Sequence, residues 1–325
     1  MCIEFDGIWF ATIKIKGRNQ SNHGLKSRGI NEYCQEDSTV MIGKILWACD
    51  GSKDSIQTLR YVELLAKRFK ALILGLFVIP DYYNVAEKIP SDEKDKFINW
   101  VEEIGSRERK TLEDIARDFK EKGMRFGIEV TSGIPYKEIL RIADRHKVDL
   151  IAMGKGKPVG ESILGGTALK VIRQSPVPIL TAGEGKKSLD IRKILVPTDT
   201  SPRTLKSLKY AVELSKEFSA NIYLLNIVEV GEYDLPIEIV ERIRGFSFRE
   251  IEENIGKTKV RENIEVHVEV SKNAWRGIIK FVDERDIDLI VMMTYGGKRF
   301  KEDFIGSIAE KVIQEASCPV ITMKP

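Results

Sequence analysis

The amino-acid sequence predicts an α/β fold made of two tandem doubly wound domains, each a parallel sheet with helices on both faces. Three observations carry that reading. First, the second half repeats the first: Lys44-Ile-Leu-Trp-Ala-Cys-Asp50 is answered by Lys193-Ile-Leu-Val-Pro-Thr-Asp199, and Asp149-Leu-Ile-Ala-Met153 by Asp288-Leu-Ile-Val-Met292. Lys170-Val-Ile172 and Pro178-Ile179 are answered by Lys311-Val-Ile313 and Pro319-Val320, in the same order. The offset of about 140–150 residues is domain-sized, too long for a solenoid repeat. Second, short apolar runs alternate with segments of helical period, which implies a parallel sheet with right-handed helical crossovers. Third, runs such as Leu72–Ile79 are continuously apolar, as expected of strands covered on both faces.

Taken in order, the first 40 residues stand outside the repeat. They are polar around Gly17-Arg-Asn-Gln-Ser-Asn-His-Gly24 and show neither helical nor strand period. They read as a disordered arm or an upstream start that is not used, Met41 standing just before the first repeat strand. The first domain, 41–184, opens with strand Ile45–Cys49. Asp54 or Ser55 can cap a helix whose Leu59, Val62, Leu65, Ala66 and Phe69 share one face. Strand 72–79, a charged helix over about 92–122 and strand 126–131 follow, and Pro135 suits the first turn of helix 135–146. Strand 150–153, a helix over about 166–175 and strand 178–181 complete the copy. After the polar linker Gly183-Glu-Gly-Lys-Lys-Ser-Leu-Asp190, the second domain, 191–325, repeats the scheme. Its strands are 193–197, 221–228, 264–270, 288–293 and 319–323, and its helices 202–217, 236–256, 274–285 and 306–316.

The bulk chemistry excludes several function classes. Fifty-two Lys+Arg against 49 Asp+Glu leave a net charge of +3, which gives no electrostatic case for nucleic acid or an anionic membrane. No apolar run reaches the ~18 residues needed to span a bilayer, and no signal-peptide pattern opens the chain, so a cytoplasmic location is expected. Cys2, Cys34, Cys49 and Cys318 form no C-x-x-C pair and are expected as free thiols. His23, His146 and His267 lie far apart, thin material for a metal site or a His-based triad.

In open parallel sheets, ligands bind at the carboxyl ends of the strands. That edge should present Asp50 and Asp199 after the first strands, and a Gly-rich loop after each fourth strand. The loops are Gly154-Lys-Gly-Lys-Pro-Val-Gly-Glu-Ser-Ile-Leu-Gly-Gly-Thr167 and Thr294-Tyr-Gly-Gly-Lys-Arg-Phe-Lys-Glu-Asp-Phe-Ile-Gly-Ser307. Each leads into a helix, where backbone N–H groups and the helix dipole favour phosphate.

On these residues, with Gly306-Ser-Ile-Ala-Glu-Lys-Val-Ile313 and Cys318-Pro-Val320, the chain resembles the universal stress protein family in tandem form, over about 42–183 and 191–325. The resemblance implies a five-stranded parallel sheet in the order 3-2-1-4-5, pairing through the last strands, and in some members ATP binding. It also implies that binding members carry Gly-x2-Gly-x9-Gly-(Ser/Thr) after the fourth strand and a first-strand Asp near the ribose. On that pattern the second copy offers Pro197, Thr198, Asp199, Ile227, Met293, Gly296, Gly297, Gly306 and Ser307. The first offers Asp50, Val78, Gly154, Gly156, Gly165, Gly166 and Thr167. Lys298 and Arg299 would shield phosphate charge or simply lie on the surface.

Neither copy matches fully. Met293 replaces the first glycine of the second copy, and its side chain would crowd the ribose-phosphate. Aligned backwards from Lys170-Val-Ile172, the first copy has Gly166 at the hydroxyl position and a loop two residues shorter. Pro-Thr before Asp199 becomes Ala48-Cys49 before Asp50. Each residue also has a purely structural reading. The glycines permit tight turns, Asp50 and Asp199 cap the first helix, Ser307 is an N-cap, and Val78 and Ile227 are core.

Other motifs fail. Gly160-Glu-Ser-Ile-Leu-Gly-Gly-Thr167 has P-loop spacing, but its lysine position is Gly166. No G-x-G-x-x-G opens a first helix, and no carboxylate pair calls for acid–base chemistry. The expected function is therefore adenine-nucleotide binding (ATP or AMP, with or without Mg) in a regulatory or protective module with at most weak hydrolysis. The alternative is an interaction scaffold that binds no nucleotide. The last strands near 179–181 and 320–322 should meet within the chain as a pseudo-dimer, and two such chains should pair as a homodimer.

Overall fold

The structure, a computed structural model, describes residues 42–81, 92–156, 164–183, 189–201, 204–231, 235–256, 264–294 and 305–324, with Pro90, Gly185 and three two-residue strands near the amino terminus. Those strands are β1 (Glu4–Phe5), β2 (Ile8–Trp9) and β3 (Ile13–Lys14). The expectation of an arm over 1–40 otherwise lies outside the described residues. The first copy then runs β4 (Lys44–Cys49), α1 (Lys53–Phe69), β5 (Leu72–Pro80), α2 (Lys94–Glu121), β6 (Phe126–Gly133), α3 (Pro135–His146), β7 (Leu150–Gly154), α4 (Gly166–Gln174) and β8 (Ile179–Ala182). The second runs β9 (Lys193–Thr198), α5 (Thr204–Phe218), β10 (Asn221–Glu229), α6 (Ile237–Gly256), β11 (Ile264–Ser271), α7 (Ala274–Arg285), β12 (Leu289–Met293), α8 (Ser307–Glu315) and β13 (Val320–Met323).

Among the described residues all strands after β2 join one sheet of 11, in the order β3-β11-β10-β9-β12-β13-β8-β7-β4-β5-β6. Each copy thus has the order 3-2-1-4-5, parallel throughout, and the copies meet at their fifth strands. There β8 and β13 pair antiparallel, Leu180 opposite Ile321, as the uncovered edges of two parallel sheets require. At the far edge β3 lies antiparallel to β11.

The strands are apolar on both sides because both sides are covered. Ile45, Trp47, Leu150, Val196, Leu289 and Val291 point to the face carrying α1, α2, α5 and α6. Leu46, Ile151, Leu195 and Ile290 point to the face carrying α3, α4, α7 and α8. Both clusters run across the seam, where Phe69 and Phe218 meet edge-on at 6.3 Å. Among the described residues no helix is long and apolar enough to cross a membrane.

The repeated polar residues are explained at the amino end of the strands, opposite the candidate site. One Asp149 oxygen accepts from the N–H groups of Gly43 and Lys44, each at 2.9 Å, and Lys44 Nζ donates to His146 O at 3.0 Å. In the second copy Asp288 accepts from Arg192 and Lys193 at 2.9 Å, and Lys193 Nζ donates to Arg285 O at 2.8 Å. Each set ties the first strand to the fourth and to the end of the preceding helix.

Candidate functional site

Each copy gathers its candidate residues at the carboxyl edge of its sheet. In the first, β4 and β7 are neighbours with Ala48 opposite Met153, so Asp50 and Gly154 emerge side by side. The exposed Asp50 does not cap α1. Its Oδ1 accepts from Ser52 N–H at 3.0 Å and closes the turn before the helix. The N-cap is Ser52, whose Oγ accepts from Ser55 N–H at 3.2 Å, which corrects the expectation of Asp54 or Ser55. A hydroxyl at that position satisfies one of the donors that a helix start leaves over. Asp199 makes the same turn through Ser201 N–H at 3.0 Å. Between aspartate and serine stands Gly51 at φ +73° in the first copy and Thr200 at φ +63° in the second. A β-branched residue in that region is strained, and Thr198 Oγ1 accepting from Thr200 N–H at 3.0 Å helps to hold it.

The fourth-strand loops share their geometry at both ends. Lys155 O accepts from Gly165 N–H at 3.1 Å, and Thr294 O from Gly306 N–H at 2.8 Å. Gly165 and Gly306 are the N-caps of α4 and α8, so the structure puts Gly165 at the position of Gly306 and Gly166 at that of Ser307. The first loop is accordingly two residues shorter. Gly156, at φ +72°, and Gly165 pack face to face: a Cβ on Gly165 would lie 2.9 Å from Gly156 Cα. Gly166 and Thr167 open α4 half-exposed, and Ser307 opens α8 exposed. The first-turn N–H groups of both helices are free of intrahelical partners by construction. Gly296, Gly297, Lys298 and Arg299 lie outside the described residues.

Gly154 and Met293 occupy one position in the two copies. A Cβ on Gly154 would sit 2.8 Å from both Asp54 Cβ and Ser55 N, so glycine here lets the start of α1 close onto β7. Met293 is buried in the same helix-facing cluster as Val291 and Met323. Its side chain therefore runs along the α5 face of the sheet. Val78 and Ile227 are half-buried against the opposite cluster, beyond the ends of the strand stretches that pair with β4 and β9. Pro197 is half-buried, and Thr198 lines a small cleft with Leu208, Leu224 and Ile255 that has room for about one water.

Several residues of this edge carry no motif signal. Asn226 Nδ2 donates to Thr198 O at 2.9 Å and fixes the end of β9, where the first copy has Phe77 opposite Cys49. Thr294 is 2% exposed, and its Oγ1 has no hydrogen-bond partner among the described residues. Lys155, in the first Gly-rich loop, is buried and reaches into the second copy. The one clue in the sequence was the mismatch of Lys155 with Thr294 between copies. Burial pushes the Cys49 thiol up, which suits a packed residue rather than a nucleophile.

Among the described residues no group of three or more His, Cys, Asp or Glu could hold a metal ion. In the second copy the start of α8, the exposed Asp199 and the buried Thr294 hydroxyl stand at the same edge.

The model of the universal stress protein family matches residues 41–182 and 190–324. Universal stress protein MJ0531 of Methanocaldococcus jannaschii is 31% identical over 139 residues, 41% of this chain and 82% of that protein. Universal stress protein MJ0577 of the same organism is 30% identical over 158 residues, 44% of this chain and 95% of that protein. A crystal structure of a universal stress protein from Archaeoglobus fulgidus has a TM-score of 0.65 at 24% identity, covering 86% of this chain and 98% of that one. At that identity the likeness is one of fold.

Proposed function

The chain belongs to the universal stress protein family, and on that premise we propose that it is an adenine-nucleotide-binding regulatory or protective module whose ligand is ATP or AMP. The observation that carries this reading is the adjacency, in each copy, of an aspartate after the first strand and a glycine-capped helix start bonded to the end of the fourth strand. The first-turn N–H groups of α4 and α8 would take phosphate oxygens, with the Ser307 hydroxyl adding a donor in the second copy. Asp50 and Asp199 each accept a backbone N–H in their turn. The same carboxylates would also accept from ribose hydroxyls. Val78 and Ile227 would line the base. Gly296 and Gly297 would let the second loop approach phosphate. Mg, where present, would be carried mainly by the phosphates. Among the described residues the site offers no obvious general base, and we assign binding rather than turnover. The proposal extends to residence in the cytoplasm and to association of two tandem chains.

The scaffold reading has one observation of its own. The contact of Gly156 with Gly165 explains two loop glycines without a ligand. The test is made on protein purified without added nucleotide: denature it, identify released small molecules by mass spectrometry, and determine their molar ratio. ATP, ADP or AMP at about one or two per chain is the expected result, set by the presence of two copies. No nucleotide, followed by no binding on titration, leaves the scaffold.

A further inference from the structure

Lys155 follows β7 in the neck of the first loop and is 8% exposed. Its backbone serves the first copy: the N–H donates to Ala182 O at 3.3 Å, and the carbonyl accepts from Gly165 N–H at 3.1 Å. Its side chain serves the second copy. The stem passes Gly183, where a Cβ would stand 3.3 Å from Lys155 Cδ and 3.1 Å from Asp54 Oδ1. Nζ then donates to Ala316 O at 2.6 Å and to Gln314 O at 3.3 Å. Those carbonyls end α8. A helix leaves its last carbonyls without intrahelical donors, and a cation there also opposes the negative end of the dipole. The ammonium is thus bound by carbonyls that a helix C-terminus leaves over.

The two ends of α8 therefore belong to different sites. Gly306 and Ser307 open it at the second copy's loop, and Lys155 closes it from the first copy's loop. The relation is not reciprocal. Thr294 stands where Lys155 stands, and its short side chain cannot span the seam.

We propose that Lys155 is a positioning residue that holds Gly165 and the start of α4 by anchoring the residue after β7 to the end of α8, so that the first copy's nucleotide affinity is set in part by the second copy. For its ligand the inference rests on the nucleotide reading; for the anchor it does not. Burial lowers the lysine's pKa, while Cys318, Asp54 and Glu315 act to raise it, as a desolvated cation among partial negative charges should behave.

The test uses the full chain as wild type, Lys155→Met and Lys155→Arg, with amide hydrogen exchange read separately over 164–168 and 305–310. Without nucleotide, Lys155→Met should speed exchange at Gly165 by about tenfold, the value of one charge-assisted bond. With ATP, it should weaken protection of 164–168 by about the same factor and leave 305–310 within about twofold. Lys155→Arg should keep most of both effects of the wild type. Unchanged Gly165 exchange together with unchanged ATP protection in Lys155→Met overturns the proposal. If ATP protects neither loop in wild type, the nucleotide reading fails, and Gly165 exchange alone still decides the anchor. Should Lys155→Met not fold, Gly183→Ala crowds the stem without removing the ammonium. It must then raise Gly165 exchange more than that of 305–310, or the anchor is rejected.

Discussion

Gly154 and Met293 are one position filled in opposite ways, and the contrast shows what a single side chain decides at this edge. At Gly154 any Cβ would strike backbone of α1, with Ser55 N at 2.8 Å, and a helix start cannot move aside as a flexible side chain can. We expect Gly154→Ala to cost about 1–3 kcal/mol, the usual penalty of forcing atoms into a packed site, read as a lower urea midpoint at unchanged slope. An unchanged midpoint would mean that α1 yields at its first turn. The family resemblance marks Gly154 as a loop glycine facing phosphate; what the structure shows is its close packing against the helix behind it. Asp50 shows the same limit of legibility. Its place at the edge follows from the repeat, but only coordinates separate a turn-closing aspartate from a helix cap two residues away. Lys155 lay furthest from view, since the carbonyl it binds best is 161 residues distant and no local pattern encodes that contact.

At the scale of elements, boundaries were legible because periodicity and apolar runs determine them: α7 covers 274–285 as expected, and β5 differs by one residue. Sheet order was not, since it depends on which edges find cover, and it was expected only through the family resemblance. What the repeat hides is how differently equivalent elements are charged. On β6, Glu129 meets Arg145 and, at 3.2 Å, His146 of α3. On β11 the corresponding layer holds His267, 3% exposed, between Tyr223 and Phe281 with ring centroids 5.8 and 5.0 Å away. Its Nε2 lies 3.7 Å from Glu265. Desolvation and then Arg285 lower the pKa of His267, against the smaller opposing pull of Glu265. The folded state therefore favours the neutral ring, and the unfolded chain binds the proton more tightly. Stability should be full above the ordinary histidine pKa and fall as pH drops through it toward the lowered folded value. Glu269 on the same strand is raised by burial, with Arg244, Arg285 and Lys280 acting to lower it and Glu284 to raise it. Its linkage thus runs the other way, gaining stability as pH falls. A difference measurement separates the two: between pH of about 7.5 and 5.5, which brackets an ordinary histidine, the melting temperature of wild type should fall more than that of His267→Gln. Parallel curves would show that His267 titrates alike in both states.

On the scale of the whole molecule, the chain is two domain-sized repeats that share their cores. The apolar clusters on both faces continue through the seam, Arg68 covers the Phe218 ring at 5.3 Å, and Leu180 and Ile321 are 1% and 0% exposed where β8 meets β13. Two repeats of this length have residues enough for separate cores, so independent unfolding is the outcome that size alone suggests. Continuity of the core argues the reverse, because opening either copy strips apolar cover from the other. We expect denaturant unfolding of the chain to give one transition, the same by far-ultraviolet circular dichroism and by the fluorescence of Trp47, which is fully buried in the first copy and is read in a background of Trp9→Phe, Trp100→Phe and Trp275→Phe. Leu180→Asp should break that coincidence. An uncompensated carboxylate at the centre of the seam costs more than about 4 kcal/mol, and parting of the seam relieves that cost. Each copy would then unfold at its own midpoint, Trp47 following the first while circular dichroism registers both. Coincident transitions in the variant, merely shifted to lower denaturant, would mean that neither copy stands without the other. Separate transitions already present in wild type would mean that the shared sheet joins the copies without making them one folding unit.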